Sequence, residues 1–200
     1  MTARISLPAR LRDRRGFTAA ELLVAMGLSA VAAVIIYSVF FSSRNAYFDT
    51  RQVSEVQSDS RAVMSLLAQD LRSAGSDPRQ SGLLQRLPVA AQNSVRIQND
   101  ADGSGSINAG GEPAEDVTWT FDPNDGTLTR ATPDGAAVVL AGVTDLQFAY
   151  LDVGGNALGP LPLTPENRDL VRAVNVQLSV EILDDETRTW NTLLALRNDP

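Results

Sequence analysis

The longest apolar stretch of the chain covers residues 17–41 and predicts a helix that is hydrophobic on all sides. It contains one formal charge, Glu21, and no proline. At the rise of an α-helix these residues reach roughly 37 Å, which is enough to cross a hydrocarbon core of about 30 Å. An unpaired carboxylate is costly in such surroundings, so Glu21 is predicted to be a functional residue with a partner.

Beyond residue 41 the apolar positions narrow to one stripe, which predicts that the helix continues in amphipathic form over residues 42–75. Ser60 interrupts a stripe whose members recur at spacings of three, four and seven. These members are Val53, Val56, Val63, Leu67 and Leu71. Gly75, with Pro78 just beyond it, predicts the helix end. We therefore expect one helix of about 55 residues whose second half packs on a core.

From residue 76 to residue 200 the pattern becomes alternating and predicts antiparallel strands. The clearest strand covers residues 171–183. Its residues on one face are Val174, Val176, Leu178, Val180 and Ile182. Residues 122–126 predict a hairpin turn, residues 184–187 a second turn, and the proline-rich residues 157–168 an irregular loop. An antiparallel sheet with one face on the long helix gives an α+β fold.

Charge is distributed unevenly along the chain. The net charge is −7, but residues 1–16 carry five arginines against Asp13, or +4, so residues 17–200 carry −11. A basic segment before an apolar helix predicts that residues 1–16 lie in the cytoplasm and that the acidic C-terminal part lies across the membrane. An acidic body also argues against nucleic-acid binding, because phosphate contacts need a basic surface.

The sequence contains no histidine and no cysteine. Without histidine, the Ser-His-Asp and Cys-His catalytic arrangements and the commonest metal ligand are absent. Without cysteine, no disulfide stabilises the fold. We therefore predict that the protein is not an enzyme and that it requires no cofactor.

Three interpretations of the N-terminal apolar segment compete. A plain membrane anchor explains its length but not Glu21. A secretory signal explains the basic start and offers Ala30-Val31-Ala32 as a cleavage site, yet the apolar residues continue to residue 41. In a third interpretation, Gly16-Phe17-Thr18-Ala19-Ala20-Glu21 resembles the class III signal of type IV prepilins and pseudopilins.

That resemblance implies a processing step and an assembly contact. A prepilin peptidase would cut after Gly16, Phe17 would become an N-methylated N-terminus, and Glu21 would pair with the N-terminal amine of a neighbouring subunit. The chain would then comprise a cleaved cytoplasmic leader (1–16), a transmembrane and filament-core half-helix (17–41), an amphipathic half-helix (42–75) and a β-rich globular head (76–200).

Later segments are similar to PilW-like minor pilins and to the related J-type pseudopilins of type II secretion systems. These segments are residues 64–75, 126–130, 143–152 and 171–176. The resemblance implies a subunit of the inner membrane, with an extracytoplasmic head, that joins or primes a type IV pilus. Its partners would be other minor pilins and the major pilin. A J-type pseudopilin is the alternative within this class.

Residues 100–106, Asp-Ala-Asp-Gly-Ser-Gly-Ser, present oxygen donors at alternate positions, as the first half of an EF-hand loop does. The second half departs from that pattern, because glycine stands at the twelfth place and Glu112 follows one residue late. Two interpretations stay open: a metal-free acidic loop, or a calcium site with Asp100, Asp102, Ser104 and Glu112 as ligands. A membrane-tethered module that binds a ligand or calcium is thus a rival function, and a signal-anchored enzyme is a third.

Overall fold

The computed structural model describes residues 17–108, 110–111, 113–183 and 186–198. It shows one long helix, α1 (Ala19–Ser73), followed by antiparallel strands and a short helix. The predicted α+β class is therefore confirmed. The boundary between two compact units falls inside α1, between Phe48 and Asp49.

All strands belong to the second unit. Their bounds are β1 Val89–Ala90, β2 Ser94–Gln98, β3 Asp116–Asp122, β4 Thr127–Thr132, β5 Gly135–Ala141, β6 Val143–Leu151, β7 Ala173–Leu183 and β8 Glu186–Ala195. The start of the turn expected at 184–187 lies outside the described residues, and its last two residues belong to β8. Helix α2, Pro165–Asp169, replaces part of the expected irregular loop, because Thr164 accepts the backbone N–H of Asn167 and a proline fits the first turn.

The strands divide between two sheets, not one. The larger sheet has the order β1-β2-β3-β4-β5, and the smaller has the order β6-β7-β8. The hairpin predicted around residues 122–126 joins β3 to β4, with Gly126 at a φ of 62° in the turn. Only Gly142, at a φ of 72°, separates β5 from β6, and there the chain turns so that β6 pairs with β7.

The second half of α1 packs on the core through Val63, Leu67 and Leu71 of the predicted stripe, whereas Val53 and Val56 are only partly buried. Its buried residues are Ser60, Val63, Leu67, Ala68 and Leu71. The Ser60 hydroxyl donates to the Val56 carbonyl of its own helix at 2.7 Å, so this polar residue is buried with a partner. Gly75 ends the helix region at a φ of 73°, as predicted, and its N–H donates to the Gln98 carbonyl at 2.8 Å.

Both sheets contribute their apolar faces to this core. The five alternating residues predicted on β7, from Val174 to Ile182, are all buried. Trp119, Tyr150 and Phe148 are the largest fully buried side chains of the described residues. The Tyr150 hydroxyl donates to the Ala91 carbonyl at 2.9 Å, and burial raises its pKa well above the ordinary value.

Candidate functional site

The start of α1 is closed by reciprocal hydrogen bonds between Thr18 and Glu21. The backbone N–H and the hydroxyl of Thr18 both donate to Glu21 Oε2 at 2.9 Å. The Glu21 N–H donates to Thr18 Oγ1 at 3.2 Å. This arrangement is a capping box, which satisfies backbone N–H groups that the helix itself leaves unpaired. Its sequence signal, Thr-x-x-Glu before an apolar run, was present but missed.

The capping box gives Glu21 a local structural role beside the predicted assembly role. Both bonds from Thr18 end on Oε2, and no described residue donates to Oε1. One oxygen is therefore engaged with its own helix, and the other is open to a second donor. Gly16, after which cleavage is predicted, lies outside the described residues, and Phe17 is exposed.

The unit that contains this first turn buries none of its described residues, 17–48. Apolar side chains cover every side of the helix there. The large ones between residues 22 and 36 are Leu22, Leu23, Val24, Met26, Leu28, Val31, Val34, Ile35 and Ile36. By length and composition α1 could cross a membrane. An exposed apolar surface of this extent is typical of a segment that contacts lipid or another protein.

Asp70 fixes the second half of α1 onto the larger sheet. Its Oδ2 accepts the indole N–H of Trp119 at 2.8 Å and the Nε–H of Arg130 at 2.9 Å, and its Oδ1 accepts Arg130 Nη2 at 3.2 Å. The side chains of Arg130 and Asp70 are only 20% and 12% exposed. Sequence reasoning missed this anchor, because its partners lie 49 and 60 residues away.

The loop between β2 and β3 brings three carboxylates together. Asp100, Asp102 and Glu115 each place an oxygen within 4.8 Å of the others. Two of the predicted calcium ligands, Asp100 and Asp102, are thus in this cluster. The Ser104 hydroxyl bonds to Ser106, and Glu112 lies outside the described residues. Glu115, which was not predicted, is buried.

The buried carboxylates of this loop serve as acceptors for its backbone. Asp100 accepts two backbone N–H bonds and Glu115 accepts three, all between 2.8 and 3.1 Å. The Asn108 side-chain amide, followed by the bonds from Ser104, lowers the pKa of Asp102 to about 2. These bonds join the carboxylates to the backbone of their own loop, and the convergence of acidic groups does not by itself indicate calcium.

No protein-family model matches the chain, and no curated protein matches it.

Proposed function

We propose that the chain is a PilW-like minor pilin, a structural subunit that joins a type IV pilus or primes its assembly. One observation carries the proposal: Glu21 is the single carboxylate of residues 17–41, the first part of a long helix, whose apolar side chains are exposed on every side. The adjacent Gly16-Phe17 pair offers the matching processing site. The chain would reside in the inner membrane and exchange lipid for neighbouring helices when it enters the filament.

The geometry of the first turn supports a specific pairing. In a bundle of apolar helices, a carboxylate needs a cationic partner to offset its loss of hydration. Prepilin cleavage would create such a cation, the ammonium of Phe17, which would reach Glu21 of a neighbouring subunit if the two helices were offset along their axes by about 6 Å, the rise of four residues. Because Thr18 engages Oε2, the ammonium would approach Oε1. We infer that the capping box orients Glu21 for this contact.

The first experiment determines the mature N-terminus of the full chain, produced with a prepilin peptidase and recovered from membranes. Mass spectrometry should find a chain that begins at N-methylated Phe17. A chain that begins after Ala32 would identify a secreted protein, and an uncut chain would identify a plain anchor. Either result contradicts the proposal.

A second experiment separates the charge of Glu21 from its capping role. Glu21→Gln keeps an acceptor for Thr18 but loses the charge, whereas Thr18→Ala removes the cap and keeps the charge. Glu21→Gln should insert into the membrane and be processed, yet fail to enter filaments. Thr18→Ala should enter them less efficiently. Normal incorporation of Glu21→Gln would refute the pairing, and equal loss in both variants would show that the cap alone matters.

A J-type pseudopilin shares the same processing and the same helix. Deletion of the gene that encodes this chain distinguishes a type IV pilus from a type II secretion system. Loss of surface pili with normal protein secretion supports the minor pilin. Loss of secretion with normal pili supports the pseudopilin.

The rival function, a tethered calcium-binding module, is tested on the full chain in detergent. Backbone donors already satisfy Asp100 and Glu115, so a chelator should leave the unfolding temperature unchanged. Calcium binding in calorimetry that Asp102→Asn abolishes would favour the module. In that case Glu21→Gln should have no effect on function.

A further inference from the structure

The edges of the two sheets differ in how they are protected. Among the described strands, β1 has only two residues. On β6, the Phe148 N–H donates to the Gln92 carbonyl at 2.8 Å. On β8, Glu186 and Arg188 place charges on the strand. Short length, a covering segment and charge are ordinary ways to prevent an edge from pairing with another chain.

Within the described residues, the edge strand β5 has none of these three protections. Its sequence is Gly-Ala-Ala-Val-Val-Leu-Ala, without a charge or a proline, and five of its seven residues are exposed. Described residues pair with it only on the β4 side. The register shift of this pair lies near Val139, so residues 135–138 form a regular run. Alternate backbone N–H and C=O groups along that run face away from β4.

A groove lies beside this edge, between β5 and the second half of α1. Its volume is about 320 Å³, and it is lined by Val56, Asp59 and residues 138–141. Val56 and Val139 are partly buried against the core. Within the described part of the chain, no basic side chain forms an ion pair with the exposed Asp59. The groove is therefore apolar with one negative charge.

We propose that β5 accepts an extended strand from a different polypeptide. The partner carries apolar side chains at alternate positions and a lysine or arginine that faces Asp59. Its main chain bonds to the free edge of β5, and its side chains enter the groove, as in β-strand addition. This surface belongs to the second unit and does not depend on pilus assembly.

Charge complementarity favours a different polypeptide over a second copy of this chain. Residues 17–200 carry −11, so pairing of β5 with itself would bring two strongly acidic bodies together. It would also place two Asp59 carboxylates near one interface without a cation. Like charges at an interface select against that partner.

The test uses the isotope-labelled full chain in detergent micelles and the peptide acetyl-Thr-Val-Thr-Arg-Thr-Val-amide as the probe, in which both valines and the arginine share one face of an extended strand. Hydrogen exchange followed by NMR should show new protection at outward-facing amides of β5. A peptide that is N-methylated at alternate amides should not bind, because it cannot form the main-chain bonds. A peptide with glutamate in place of arginine should bind about two- to fivefold more weakly, the size of an exposed ion pair.

Two matched variants locate the binding edge. Val138→Lys on β5 and Leu193→Lys on β8 replace apolar residues that are 61% and 63% exposed, so both variants should fold. Val138→Lys should abolish peptide binding and Leu193→Lys should not. Equal binding by both variants, equal loss in both, or tight binding of the N-methylated peptide would overturn the proposal. Concentration-dependent dimerisation that Val138→Lys removes would assign the edge to a second copy, which also overturns it.

Discussion

Leu23 and Leu67 lie on the same helix, yet Leu23 is 71% exposed and Leu67 is fully buried. Around Leu67 the apolar residues form one stripe, and the sheets of the same chain cover it. Around Leu23 every side of the helix is apolar, so one sheet could cover only part of the surface. The fold therefore buries one stripe of the second half of α1 and buries none of the described residues 17–48.

Truncation of each of these two leucines to alanine should give the largest difference in stability between the two halves of α1. Leu67→Ala should lower the free energy of unfolding by about 2–5 kcal/mol, because it removes buried methyl groups and leaves a cavity. Leu23→Ala should leave it unchanged. Denaturation of the full chain in detergent, followed by the fluorescence of the buried Trp119, measures both. A similar loss in Leu23→Ala would mean that the first half also stabilises the head.

Loss of the Asp70 anchor in the second half of α1 should have the next largest effect on the free energy of unfolding. Asp70→Asn breaks a shielded ion pair with Arg130, and we expect a loss of about 2–3 kcal/mol. The control is Glu55→Gln on the same helix, since Glu55 pairs with Arg51 at 2.9 Å with both side chains about 60% exposed. Glu55→Gln should lower the free energy of unfolding by less than about 0.5 kcal/mol. Equal losses would show that Asp70 adds nothing beyond a surface pair.

Alanine substitutions at two glycines, Gly75 and Gly27, should show a smaller difference in their effects on stability. Gly75 has a φ of 73°, and an added Cβ would lie 2.9 Å from Arg86 Cγ. Gly75→Ala should therefore reduce stability by about 1–2 kcal/mol. Gly27, inside the exposed half, has nothing within 4 Å of an added Cβ. Gly27→Ala should leave unfolding of the head unchanged. The same denaturation experiment checks both variants, and an equal change in stability for the two would contradict the expectation.

The smallest effect concerns an exposed carboxylate of the head. Because hydrogen bonds lower the pKa of Asp102 to about 2 from 3.8, its contribution to stability is present above pH 3.8 and is lost as the pH falls through 2. Asn108→Ala should raise this pKa toward 3.8, measured by NMR titration of the carboxyl carbon. Asp152, whose pKa is lowered chiefly by the Asn156 side chain, should be unaffected. An unchanged pKa of Asp102 would mean that Asn108 is not its main donor.

Several features were predictable because they depend on neighbours along the chain. The stripe at Val63, Leu67 and Leu71 follows from helical periodicity, and the β7 face follows from alternation. The helix end at Gly75 follows from the left-handed conformation that glycine tolerates. Two local signals were overlooked: the capping box of Thr18 with Glu21, and the capped start of α2.

Other features depend on residues far apart in the sequence. The anchor formed by Asp70, Trp119 and Arg130 joins a helix to two strands, and no periodicity relates its members. Glu115 enters the acidic loop only because β3 returns beside β2. The bare edge of β5 likewise requires knowledge of which strands pair.

The order of residues along the chain was sufficient to predict the long helix, its change from an all-round apolar half to a striped half, the α+β class and the hairpin turn. Short-range periodicity and backbone preferences are sufficient for these features. The division into two sheets, the polar anchor at Asp70 and the exposed edge at β5 became visible only in the folded chain. These depend on which distant segments exclude water from one another, and one chain's local pattern does not specify that pairing.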